Sequence, residues 1–268
     1  RALAEKAKRQ IAAGGQEYVA TIYDPLSDSF TVLSPPGKEK EISIFFDDSP
    51  AVSIGSIEIT DMARNSDTSP FWGGGLIIRG NSTCSAGFSA KAGTAQVMVT
   101  AKHCGTVDSS WTSGANVAFG KISKHATNSV DAAYIKDKSY AGKIFTGGTT
   151  SNSSKAVSGA GDPTIGNTYC ASGQNTGWTC THKAALSMTF SGLGPANAYV
   201  LYYYPVLAGD SGGAIVSDGT KLTVRGIVKG SAVITTGYPG DSARYDYLVG
   251  PKWSVIKSGL GLDSVVTG

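Results

Sequence analysis

Apolar and polar residues alternate with a period of two through Tyr18-Val19-Ala20-Thr21-Ile22-Tyr23, and again through Ser29-Phe30-Thr31-Val32-Leu33. That period places successive side chains on opposite faces of a strand, and the intervening Asp24-Pro25-Leu26-Ser27-Asp28 has the residues of a turn, so the pair predicts a hairpin. Upstream, residues 1–13 carry Leu3, Ala7 and Ile11 on one helical face and stop at Gly14-Gly15, which predicts a short basic helix. Pro35-Pro36-Gly37 interrupts the chain before an apolar run at residues 42–46 and a further alternation at residues 52–59. The polar stretch at residues 61–70 then divides a small α+β segment, residues 1–69, from the rest. From Phe71 onward the pattern is short strands separated by glycine-rich turns, predicting an all-β body of two barrels over residues 70–268. Helical spacing returns only at residues 251–259, where Gly259 supplies a stop.

Composition agrees with this reading. Glycine makes up 35 of 268 residues and charged residues only 16%, which suits a turn-rich all-β extracellular chain better than a helical cytosolic one. The net charge of +3 is mild and no Lys/Arg run accompanies it, so neither nucleic acid nor a membrane surface is expected as a partner. No apolar run reaches the length of about 18 residues that a membrane span requires. No signal peptide is seen, so the chain is expected to start after the removal of one. Four cysteines allow three pairings by counting alone, and disulfides in such a chain imply secretion. Asn81-Ser82-Thr83 and Asn152-Ser153-Ser154 fit the N-glycosylation acceptor pattern.

The candidate chemistry centres on Leu207-Ala208-Gly209-Asp210-Ser211-Gly212-Gly213, where flanking glycines permit a tight, exposed turn that presents a serine hydroxyl. Such a hydroxyl is a nucleophile only when a base takes its proton, and the base needs an acid to orient it. Of the three histidines, His103 ends the apolar run Val99-Thr100-Ala101-Lys102-His103-Cys104, an anchored setting for a base. His125 and His182 lie in polar segments and read as surface residues. Asp131 sits among Val130, Ala132 and Ala133, where a carboxylate is costly unless it is paired. No residues have the spacing of a metal site, and no cofactor is expected.

The order His103, Asp131, Ser211 and the motifs Thr-Ala-Xaa-His-Cys, Asp-Xaa-Ala-Xaa-Ile and Gly-Asp-Ser-Gly-Gly resemble the chymotrypsin-type serine proteases. The bacterial branch of streptogrisins and alpha-lytic protease is the most similar, through Cys84-Ser85-Ala86-Gly87-Phe88 and the segment from Tyr169 to Cys180. The resemblance implies two six-stranded antiparallel β-barrels with a C-terminal helix, and an active site in the cleft between them. It also implies the disulfides Cys84 to Cys104 and Cys170 to Cys180. Its activity would be that of a secreted endopeptidase, a monomer acting on polypeptides through an acyl-enzyme, with the backbone N–H groups of Gly209 and Ser211 as oxyanion donors. Residues 1–69 resemble the end of a pro-region, an inhibitor or folding aid that is later cut off; the alternative is an accessory piece that stays attached.

The chain departs from the family in ways that bear on specificity. Pro205 stands where trypsin-like members have an aspartate at the pocket base, so Arg/Lys specificity is not expected. Val206, Val228, Ser231 and Ala243 would line the pocket, with Lys229 and Gly230 on the strand that pairs with substrate, and the lining suits an apolar side chain. With no histidine there, glutamate specificity is disfavoured. A disulfide that many relatives place before the nucleophile is absent, and Ala171 replaces an arginine that pairs with the acid at Asp210. Lys229, at a position where relatives have serine, is the expected substitute partner for Asp210, although a cation there would also compete with His103 for Asp131. These departures motivate the alternative of a protease-fold binding protein without turnover, and esterase chemistry through the same site is a third reading.

Overall fold

The computed structural model describes residues 20–24, 29–34, 52–56, 68–235 and 244–268. The chain divides into two units, Arg1–Met62 and Ala63–Gly268. In the first, strands Ala20–Asp24 and Ser29–Ser34 form the antiparallel hairpin that the alternation predicted, and Val52–Ser56 adds to it in parallel. The helix expected at residues 1–13 and the strand at residues 42–46 lie outside the described residues.

The second unit is a double β-barrel. Its first sheet runs in the order Ser264–Val265, Ser89–Ala92, Ala95–Thr100, Ala133–Lys136, Ala118–His125, Ser110–Ser113, Leu76–Arg79, Ser82–Ser85. Its second sheet is built around Thr168–Gly173, Gly177–Met188, Tyr199–Tyr203 and Arg244–Pro251 on one side and Ala214–Ser217 and Leu222–Ile227 on the other. The sheets contain eight and ten strand segments, more than the six expected per barrel, because short pieces such as Phe71–Gly73 and Ser264–Val265 join them.

Strand Ala95–Thr100 shows why the halves hold together. Met98 points into the first barrel's own core with Ile77, Trp111, Phe119 and Ile135, while Val97 and Val99 on its other face join a core shared with Leu201, Val224 and Ile227 of the second barrel. An apolar run without alternation is what a strand buried on both faces requires. Each fully buried large apolar side chain contributes about 1.5–3 kcal/mol.

The C-terminal helix, Trp253–Leu260, packs on the shared core through Trp253, whose ring meets Phe88 edge-on at 5.6 Å. Asp162 accepts hydrogen bonds from the N–H and hydroxyl of Ser254 at 2.7 Å each, satisfying donors at the helix start. At the other end Gly261 takes a left-handed conformation, φ 65°, and closes the last turn by donating to Lys257 and Ser258. Both disulfides pair as the resemblance implied, Cys84 with Cys104 and Cys170 with Cys180.

Candidate active site

His103 sits on the single turn Lys102–Cys104 that follows strand Ala95–Thr100, and the Cys84 disulfide anchors that turn through Cys104. Strand Ala133–Lys136 pairs antiparallel with Ala95–Thr100, Ala133 opposite Thr100, which brings the preceding Asp131 beside His103. Asp131 is buried, and one carboxylate oxygen accepts from the His103 backbone N–H at 3.0 Å while the other faces His103 Nδ1 at 2.7 Å. A carboxylate can only accept, so Nδ1 carries the proton and the neutral ring keeps its lone pair on Nε2. Asp131's own N–H donates to the hydroxyl of Tyr199 at 2.9 Å. Burial pushes the Asp131 carboxyl up, but the hydrogen bonds and charge of His103, with a smaller part from Lys229, outweigh it and hold the group at about 2.

Ser211 belongs to the loop that leads into strand Ala214–Ser217 of the second barrel. The loop is tied to the first barrel, because Ser85 N–H donates to Ser211 O at 2.8 Å and the Ser85 hydroxyl donates to Gly209 O at 2.9 Å. Gly212, with φ 87°, lies so close to Thr100 Oγ1 that a Cβ would stand 2.2 Å from it. Gly209, with φ 93°, is restricted by its left-handed backbone, while the atoms nearest a Cβ there are the movable amide ends of Gln174 and Asn175. Within the loop, the N–H groups of Asp210, Gly212 and Gly213 are spent on Leu207, Val228 and Asp210 carbonyls. Among the described residues, those of Gly209 and Ser211 have no partner. The Ser211 hydroxyl donates to Lys229 O at 3.3 Å, and no hydrogen bond links it to His103 among the described residues. Such contacts are often loose before substrate arrives.

Asp210 corrects one expectation. Lys229 is not its partner: the Lys229 ammonium lies 3.2 Å from Asp131 Oδ2, the same oxygen that faces His103 Nδ1. Asp210 is instead held by neutral donors, accepting from the N–H groups of Asn175 (2.8 Å), Thr176 (3.0 Å) and Leu207 (2.9 Å) and from the Thr176 hydroxyl. Asn175 and Thr176 sit in the loop closed by Cys170 and Cys180, so its turn supplies what an arginine supplies elsewhere. A buried carboxylate with four donors needs no cation.

The histidines are corrected as well. His182 is not on the surface: it is 2% exposed, donates through Nδ1 to the Tyr203 and Tyr204 carbonyls at 3.3 and 3.2 Å, and accepts from Thr179 through Nε2 at 2.8 Å. Burial holds its imidazole below the ordinary value. His125 is half-buried and donates through Nε2 to Gly105 O at 2.9 Å, bracing the turn after His103.

The expected pocket residues divide. Ser231 and Gly230 line a cavity of about 280 Å³ beside His103, together with Phe190, Lys229, Ala232 and Val249. The Ser231 hydroxyl donates to Val206 O at 2.8 Å and accepts from Val206 N–H at 3.1 Å, so it clamps the loop. Val206 and Val228 are buried in the second barrel's core with Tyr202, Ile215 and Leu248, and Pro205 is exposed. Ala243 lies outside the described residues. Phe190, Thr176 and Tyr199 went unnoticed in the sequence; only the need of buried Asp131 and Asp210 for donors and neighbours pointed toward such groups, without saying which. Cys84, His103 and Cys104 lie within ligand distance of one another, but the two sulfurs are joined in a disulfide and offer no thiolate.

No protein-family model matches the chain. Glutamyl endopeptidase 2 of Streptomyces griseus is 30% identical over 165 residues, which span 60% of this chain and 85% of that protein. Among solved structures, a glutamic acid-specific serine protease that uses a histidine triad in substrate binding is 25% identical, with a TM-score of 0.56 over 73% of this chain and 99% of that one. Protease A of Thermobifida fusca, 21% identical with a TM-score of 0.55, shares the fold over 74% of this chain and 98% of its own.

Proposed function

The chain belongs to the bacterial chymotrypsin-type serine endopeptidases, and from that premise we propose that Ser211 is its nucleophile, His103 its general base and Asp131 the acid that orients His103. The reaction follows the general serine-protease scheme. Ser211 Oγ attacks the peptide carbonyl as its proton passes to His103 Nε2, forming a tetrahedral adduct. His103 then gives that proton to the leaving amine, the C–N bond breaks, and an acyl-Ser211 ester remains for water to hydrolyse by the same route. The oxyanion is received by the N–H groups of Gly209 and Ser211. The observation that carries this reading is the pairing of His103 Nδ1 with buried Asp131 beside a loop in which, among the described residues, the N–H groups of Gly209 and Ser211 are unspent.

The reading extends to substrate. The cavity beside His103 has Phe190, Ala232 and Val249 in its wall, which supports cleavage after apolar residues. Glutamate preference is the second reading, favoured by the likeness to glutamyl endopeptidase 2. Against it, none of the chain's histidines is spare: His103 is paired with Asp131, His125 with the Gly105 carbonyl and His182 with the Tyr203 and Tyr204 carbonyls. Secretion is supported by the two disulfides, which persist in oxidising compartments. Among the described residues, no helix is long and apolar enough to cross a membrane.

A fluorophosphonate should label Ser211 in the active protein, and Ser211→Ala should lose both the adduct and at least about a thousand-fold in kcat/KM. An unlabelled Ser211 in folded protein would overturn the assignment. Peptides differing only by Leu, Phe or Glu before the scissile bond then decide specificity, with the Leu or Phe peptide expected to be cut faster.

A further inference from the structure

Lys229 occupies an unusual place in this site, and what it does there rests on the triad reading above. Its backbone is fixed at both ends: its N–H donates to Val249 O at 2.8 Å and its carbonyl accepts from Ser211 Oγ at 3.3 Å. Its side chain, 28% exposed, reaches back so that the ammonium stands 3.2 Å from Asp131 Oδ2. One residue therefore touches the nucleophile through its main chain and the orienting acid through its side chain. Where a serine at this position would give Asp131 a neutral hydrogen bond, lysine gives it a full positive charge.

We propose that Lys229 is a positioning residue that sets the pH range of the enzyme, by sharing Asp131 Oδ2 with His103 and so disfavouring the protonated imidazole.

The argument is electrostatic. His103 works as a base only while neutral, and Asp131 favours its protonation in proportion to the negative charge that His103 sees. An ammonium on the same oxygen cancels part of that charge, and a second cation near an imidazolium repels it directly. The other groups facing His103 act in the same sense. Arg79 and Lys102, from different segments, line one cavity of about 600 Å³ with His125, His103, Asp131 and Lys229, and Asp131 is the sole carboxylate in that lining. The remaining polar group at Asp131 is the Tyr199 hydroxyl, which meets its backbone N–H. Arg79 and Lys102 are not held against the carboxylate, whereas Lys229 is within hydrogen-bond distance of it, so Lys229 is the cation to which the balance is most sensitive.

The test uses Lys229→Met, which keeps the length of the side chain and removes its charge, with Lys229→Arg as the conservative variant. An uncharged peptide substrate keeps the readout free of direct attraction between substrate and lysine. The acidic limb of the kcat/KM profile should move to higher pH by about one unit in Lys229→Met and stay near the wild-type position in Lys229→Arg. KM should change little, the effect falling on kcat at the acid end. If Lys229→Met does not fold, Lys229→Ser serves in its place. A merely structural role would lower the rate by one factor at every pH and leave the limb unmoved, and that result overturns the proposal. Fluorophosphonate labelling of the wild type separates the failures: an adduct on Ser211 with an unmoved limb removes only the role of Lys229, whereas no adduct removes the triad reading and this inference with it.

Discussion

Asp131 concentrates the energetics of the site in one side chain. It is 5% exposed and holds a negative charge through two contacts from His103 and one from Lys229. Breaking such an arrangement leaves charges uncompensated in a poorly solvated place. Its carboxyl is held at about 2 against an ordinary 3.8, so the folded state binds the proton less readily than the unfolded chain. The stabilisation linked to this shift is fully present above about pH 4 and is lost as pH falls through about 2. A shift of this size corresponds to about 2 kcal/mol. In urea unfolding between pH 2 and 6, Asp131→Asn should be less stable than wild type at pH 6, and the gap should narrow toward pH 2. A gap constant across that range would show that the linkage lies elsewhere.

At the scale of elements, the loop closed by Cys170 and Cys180 does more than staple a hairpin. It delivers the N–H groups of Asn175 and Thr176 to Asp210, directly beside the nucleophile, and Gln174 N–H to the Ser85 hydroxyl, which in turn holds Gly209. Closing a loop of 10 residues is worth about 3 kcal/mol on the chain-entropy model. Replacing both cysteines by serine should lower stability by about that amount. It should also reduce kcat at temperatures where the protein is still folded, because the loop carrying Ser211 loses its brace. Urea unfolding and kcat measured on the same preparation check both, and an unchanged kcat would confine the disulfide to stability. The C-terminal helix acts on a different level, by packing Trp253 and Ile256 into the core that both barrels share.

For the whole molecule, the chain divides at Met62/Ala63, ahead of the boundary expected near residue 70, and we propose that residues 1–69 are a pro-segment, the role that their sequence resembles. Mass spectrometry of the active species should then find a chain beginning near residue 70, inside the polar stretch ahead of Phe71. An active species that retains residues 1–69 would favour an attached accessory segment.

Much of this protein was legible before any fold was in view. Period-two alternation announced the hairpin at Ala20–Asp24 and Ser29–Ser34, and helical spacing announced Trp253–Leu260, although the helix runs through the expected stop at Gly259 and ends at Gly261. His103, Asp131 and Ser211 stood out because their immediate neighbours form motifs, and local sequence is where motif information resides. The partners of Lys229, Asp210 and His182 were not legible in this way. Lys229 and Asp131 are 98 residues apart, and Asp210 and Thr176 are 34 apart. Contacts of that kind depend on strand register and on which of two opposed faces a side chain takes, which a one-residue slip reverses. Hydrophobic patterning thus determined the elements and the chemically able residues, while closure of two barrels onto one another decided which charge meets which carboxylate.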